Sequence, residues 1–275
     1  MVQVFNISSR KKKRNFVSGL SLTTQLILLN VVLYFVSFLF LGIYGEKFFV
    51  ENLALTPSLV LAGKSLWTFL TSMFMHGSFF HIFANMFSLF FLGGFVEKLI
   101  GRKRFFWVYM IAGLTGGLFY VLSTVFLGGA SIPAVGASGA IFGLLGLLAV
   151  IVPFSRIYLI IGPLILIVVE VLSAAFLPTG IASAVSMIIN ILIILMIFAL
   201  FSFNTSFRKF AIPLELPMWV LPIVAIVPLS IIGLFVNLPI GNSAHFGGLI
   251  IGLIYGFYLR KKFPNKTKFL SRKFR

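Results

Sequence analysis

The stretch AHFGGLIIGLIYGFYL, residues 244–259, halted by Arg260-Lys261-Lys262, decides the fold. It is an apolar run close to the roughly 20 residues that carry a helix across a bilayer. The three cations mark the point where the chain leaves the membrane. Gly248, Gly252 and Gly256 recur every four residues and share a helical face with His245, three residues before the first of them. Such a stripe of small residues lets two membrane helices pack backbone to backbone.

Seven more apolar stretches lie upstream, at about 22–44, 79–95, 105–127, 137–152, 158–177, 181–201 and 218–236. Of the 275 residues, 60% are hydrophobic and 10% charged, and the mean hydropathy is +1.13. That leaves too little polar residue to cover a water-facing surface. The sequence predicts an all-α, polytopic membrane helix bundle of about eight spans. A basic arm (1–20) precedes the membrane domain (21–262), and a basic tail (263–275) follows it. Residues 45–75 are too polar to span and too apolar for a free loop, and read as an amphipathic segment at the headgroups.

The net charge of +17 does not indicate a nucleic-acid partner. Its cations cluster at every second loop, in 10–14, 98–104, Arg156, Arg208–Lys209, 260–262 and 266–275, leaving only Lys47 and Lys64 on the other side. This is the positive-inside pattern, and it places both termini in the cytoplasm. The basic tail is also suited to anionic lipid headgroups.

There is no cysteine and no aspartate; the acids are Glu46, Glu51, Glu97, Glu170 and Glu215, and the histidines His76, His81 and His245. Polar residues within membrane spans are costly and mark function by default. Alternating the spans puts the starts of the second, fourth and eighth on one outer side. His81, Asn85, Ser138 and His245 then share one shallow depth. The fourth span carries its own small residues, Gly139, Gly143 and Gly146, so it can approach the eighth closely. A serine within reach of a histidine base is the minimum for acyl transfer. Each signal has an ordinary reading: Gly-Ala-Ser-Gly-Ala as packing sequence, His245 as a helix-to-helix hydrogen bond, His81 and Asn85 as a cap. It is their coincidence that points to a site.

Gly136-Ala137-Ser138-Gly139, His81-x-x-x-Asn85 and Ala244-His245-x-x-Gly248-x-x-x-Gly252 resemble the three signature motifs of rhomboid intramembrane serine proteases. The run from Gly93 to Gly101, with Glu97 at its centre, resembles that family's Gly-x-x-x-Glu-x-x-x-Gly helix end. His76 matches a recurrent family position. The resemblance covers about 65–155 and 210–260. It implies that Ser138 is the nucleophile and His245 its general base and acid. The Ser138 N–H, His81 and Asn85 would form the oxyanion hole. Phe142, one turn after the serine, would orient the imidazole in place of a carboxylate. No metal or organic cofactor is implied. The implied substrates are membrane proteins cut in or beside a transmembrane segment, in the cell membrane, with approach beside the seventh span.

Two features depart from the family. Trp67-Thr68 stands where relatives often carry Trp-Arg, which bears on how the first outer loop is anchored. Ser138 and His245 are 107 residues apart, farther than in six-span relatives. The excess matches an extra helical pair at 157–203, or a re-entrant course giving six or seven spans. Glu170, inside this insertion, reads as a hydrogen-bonded helix contact. A catalytically inactive rhomboid-like binder of membrane helices and a proton-relay transporter are the rival readings.

Overall fold

A computed structural model describes residues 19–200, 212–233 and 241–274. The basic arm over 1–18, the Arg208–Lys209 loop, positions 234–236 of the seventh stretch, and Arg275 lie outside the described residues. The chain is an all-α membrane bundle. In order come α1 (Leu22–Asn52), α2 (Phe79–Ile100), α3 (Arg102–Leu127), α4 (Ser138–Ile151), α5 (Ile161–Phe176), α6 (Thr179–Leu200), α7 (Leu221–Gly233), α8 (Asn242–Lys262) and α9 (Pro264–Lys273). Among the described residues, α1, α2, α3 and α6 are long and apolar enough to cross a membrane, while α4 and part of α5 are shorter apolar helices.

The core is built around α4. At 14 residues it is about 21 Å long, short of a hydrocarbon layer of about 30 Å. At least one of its ends must therefore lie within the membrane thickness. Longer helices enclose it, and Leu144, Leu147 and Leu148 are fully buried. The glycine stripe acts as its spacing predicts. A Cβ on Gly248 would stand 1.9 Å from the Gly139 carbonyl oxygen, and one on Gly252 would stand 1.9 Å from that of Gly143. Only glycine permits α8 and α4 to run this close.

Local chemistry sets the helix ends. Ser21 caps α1, its hydroxyl accepting from the Thr24 N–H at 3.1 Å, and Ser78 caps α2, accepting from the His81 N–H at 3.1 Å. A π-helical turn at Leu89–Gly93 interrupts α2, and Gly101 (φ 82°) and Gly128 (φ 77°) close α2 and α3. The first helix differs from expectation. It resumes beyond a break at Gly45 (φ 77°) and continues to Asn52 instead of stopping near Tyr44. The segment after it is folded, with short helical turns at Pro57–Leu61, Thr68–Thr71 and Ser72–Phe74. Leu55 exchanges two backbone hydrogen bonds with Ala134, each 2.9 Å. Trp67 donates its indole N–H to the Asn52 carbonyl at 2.9 Å, and Thr68 is fully buried, so the loop is anchored here without an arginine.

The insertion begins later than the sequence suggested. Residues 156–160 form a strand, β1 (Arg156–Ile160), antiparallel to β2 (Pro213–Pro217), so the fifth helix starts at Ile161, not Tyr158. Two factors favour this. Three of the four residues in Ile157-Tyr158-Leu159-Ile160 are β-branched or aromatic, and Pro163 suits the first turn of a helix. The ladder is bounded by Arg156 opposite Pro217 and Ile160 opposite Pro213, and Arg156 pairs with Glu215 at 3.3 Å. It brings together the two ends of the α5–α6 excursion. Within that pair Ser186 donates to the Glu170 carboxylate, and Asn190 Nδ2 lies 3.5 Å from it. Glu170 is thus a hydrogen-bonded contact between α5 and α6.

Candidate active site

Ser138 is the first residue of α4, so its backbone N–H has no intrahelical acceptor. His245 stands in the first turn of α8. The close glycine approach of these helices brings His245 Nε2 to 2.8 Å from Ser138 Oγ. Both residues are half-buried. The Phe142 ring lies on the His245 imidazole with centroids 4.3 Å apart and planes 15° apart. Among the described residues no carboxylate hydrogen-bonds His245.

The chain before Ser138 is held in an extended, left-sided conformation at Gly136 (φ 126°). Its N–H donates to the Ser72 carbonyl at 2.8 Å. A Cβ there would stand 2.7 Å from His81 Nε2 and 3.8 Å from Ser138 Oγ. Glycine is required on both counts, and the missing side chain leaves His81 Nε2 facing the serine turn. His81 packs edge-on against His76, centroids 5.1 Å apart. His76 is buried, and neither of its ring nitrogens completes a hydrogen bond. Burial first, and the neighbouring His81 second, push its pKa down to about 3, so it is a neutral backing for His81.

Of the other residues singled out from the sequence, Asn85 is buried one turn along α2. It donates one amide hydrogen to the His81 carbonyl at 2.8 Å, leaving the second free for another acceptor. Gly139, Gly248 and Gly252 set the α4–α8 distance. Glu97 is not at this site. Its carboxylate accepts from the Leu22 N–H, the Thr23 N–H and the Thr23 hydroxyl, at 2.8, 2.8 and 2.7 Å, and so caps the start of α1.

Sequence reasoning missed the third wall. Gly116 of α3 faces Ala244 so closely that a Cβ would stand 2.7 Å from its carbonyl oxygen. Nearby, the Ser123 and Ser243 hydroxyls join α3 to α8 at 2.9 Å. The signal was available in Gly113, Gly116 and Gly117, a small-residue stripe like those on α4 and α8. No group of three or more His, Asp or Glu residues that could hold a metal occurs among the described residues.

This arrangement brings together a hydroxyl, an imidazole and the free N–H of Ser138, groups that acyl transfer can use. Comparison with known proteins shows what the chain is similar to. The rhomboid domain family matches residues 63–191, a range that holds His81, Asn85 and Ser138 but not His245. The chain is 44% identical over 93 residues to RHOMBOID-like protein 1 of Arabidopsis thaliana, covering 34% of this chain and 23% of that one. It is 37% identical over 81 residues to Inactive RHOMBOID-like protein 8 of Arabidopsis thaliana, covering 30% and 22%. To the rhomboid protease GluP of Bacillus subtilis it is 35% identical over 132 residues, covering 46% and 25%. The matched part thus spans about a quarter of the length of these curated relatives.

Proposed function

From the premise that the chain belongs to the rhomboid family, we propose that it is an intramembrane serine endopeptidase. One observation carries this reading: the 2.8 Å contact of Ser138 Oγ with an imidazole held flat by Phe142. In the proposed reaction His245 Nε2 takes the Ser138 proton as Oγ attacks a substrate carbonyl. The carbonyl oxygen becomes an oxyanion, which the Ser138 N–H, His81 and the free amide hydrogen of Asn85 stabilise. His245 then protonates the departing amine, leaving an acyl-serine. Water, deprotonated by the same nitrogen, hydrolyses that ester and restores the serine.

The substrates are membrane proteins cut in or beside a transmembrane helix. Such a helix hides its carbonyls in hydrogen bonds and has to unwind locally before it can be attacked. Approach beside α7 is supported by the exposed apolar residues Ile223, Val227 and Ile231 along that helix. We place it in the cell membrane, and the cation distribution supports cytoplasmic termini with the serine toward the outer half.

A relative named as inactive keeps a second reading alive, in which the chain binds membrane helices without cutting them. The experiment is reconstitution with a tagged single-span substrate, comparing the wild type with Ser138→Ala, His245→Ala and the double variant. Proteolysis is expected to disappear in all three, with the double no worse than either single, as for groups that act as a unit. Cleavage that survives Ser138→Ala refutes the mechanism, and a wild type that binds but never cuts favours the second reading.

A further inference from the structure

The cavity of about 560 Å³ between the start of α1 and the end of α2 lies well away from Ser138. Its chemistry changes with depth. At one end stand Lys98 and Arg102 with the hydroxyls of Ser21 and Thr24. The wall opposite is Phe90 and Phe91, 61% and 44% exposed. Seven residues separate Phe91 from Lys98, so the aromatic wall sits about 10 Å deeper along α2 than the cations. A soluble anion needs no such wall, and a neutral lipid tail needs no cations.

The charges are available. Lys98 makes no hydrogen bond or ion pair among the described residues. Arg102 donates to the Leu20 carbonyl at 3.0 Å and the Gln25 side chain at 2.7 Å, which fixes its guanidinium at the rim. The one acid in the lining, Glu97, already accepts three hydrogen bonds from the start of α1. The Ser21 and Thr24 hydroxyls bond each other at 2.8 Å, which uses one O–H and leaves the other to donate to a phosphate oxygen.

This end of the bundle is also its cationic end. Phe274, the residue that ends α9, packs edge-on against the lining residue Phe95, centroids 5.1 Å apart, and α9 carries Lys266, Lys268, Arg272 and Lys273. Arg104 lies over the Phe263 ring at the junction of α8 and α9.

We propose that this cavity binds an anionic phospholipid, its phosphate between Lys98, Arg102, Ser21 and Thr24 and an acyl chain along Phe90 and Phe91. The lipid would brace the start of α1 against the end of α2 in the leaflet on the cationic side.

The test uses the full chain in bilayer nanodiscs of dioleoyl phosphatidylcholine containing one part in ten of dioleoyl phosphatidylglycerol. After gentle detergent extraction, retained lipid is counted by native mass spectrometry. The wild type is expected to retain phosphatidylglycerol in excess over phosphatidylcholine. Lys98→Gln loses no partner in the fold and is expected to cut that excess about five-fold, the effect of one cation near a membrane surface. Lys103→Gln, on the same cationic end but outside the cavity, is the control and is expected to leave the excess unchanged. Millimolar glycerol phosphate is expected not to displace the lipid, because it lacks the chain that the aromatic wall requires. An unchanged excess in Lys98→Gln overturns the proposal. So does an equal fall in Lys103→Gln, which would reduce the effect to surface charge, or displacement by glycerol phosphate, which would make this a site for free phosphate.

Discussion

The ring of Phe142 covers one face of the His245 imidazole at a 15° tilt and a centroid distance of 4.3 Å, and the two side chains come from helices packed backbone to backbone. In the proposed mechanism the stacked ring takes the place of an orienting carboxylate and limits the imidazole to one plane. The ring places no charge beside the imidazole. In a chain without aspartate this is an economical solution.

Phe142→Leu should therefore slow cleavage with little change in KM. Aromatic pairs contribute about 0.5–1.5 kcal/mol beyond their buried area, so kcat is expected to fall about two- to ten-fold. Phe142→Tyr, which keeps the ring, should stay near wild type. Steady-state kinetics on a reconstituted substrate separates the two variants. An equal loss in both would mean that the ring fills space and does not orient the base.

Gly252→Ala should destabilise the bundle. Its methyl would stand 1.9 Å from the Gly143 carbonyl oxygen, so α4 and α8 must separate. Forced overpacking of this kind costs about 1–3 kcal/mol. A lower thermal midpoint in detergent, with activity falling in parallel, is the expected result. Gly180→Ala, at a position with open space around it, is the matched control and should change neither.

Glu97→Ala should loosen the start of α1 without touching the chemistry. Three donors lose their acceptor at once, two of them orphan N–H groups of a helix N-terminus. The expected cost is about 1–2 kcal/mol. Amide exchange should accelerate at residues 22–25, while the rate at saturating substrate is retained. A collapse of kcat in a folded variant would place Glu97 in the machinery instead.

Acid should unfold the protein through His76. Its folded pKa, pushed to about 3, lies below the ordinary 6.5, so between those values the unfolded chain binds more protons than the folded one. The stability contribution is complete above pH 6.5 and is lost as pH falls toward 3. About 2 kcal/mol should be gone by pH 5. Thermal unfolding across that range, compared with His76→Phe, measures it, and the variant should show a flatter profile.

Much of this molecule can be read without coordinates, because two strong local signals operate in a membrane. Runs of apolar residues closed by cations mark the helices, and glycines at four-residue spacing mark the faces that touch. Those two signals place Ser138 and His245 on facing helices, and the contact between them follows. Two features depend on partners distant in sequence. The strand at 156–160 exists because residues 213–217 pair with it; alone, the run looks like the start of a helix. Glu97 reads as the centre of a helix-end signature, and what it holds, the start of a helix 75 residues earlier, is set by tertiary contact. The break at Gly45 does not end α1, since the chain beyond it still finds helical hydrogen bonds as far as Asn52.

The sequence by itself determined the bundle, its family likeness and the serine–histidine pair, since composition, period and motif are all local properties. Only the tertiary structure decided how close α4 and α8 come, that Phe142 lies flat on His245, and that the start of α1 hangs on the end of α2. Those are distances between segments far apart in the chain, fixed by packing and by the need to satisfy buried hydrogen-bonding groups, and no spacing within one segment encodes them.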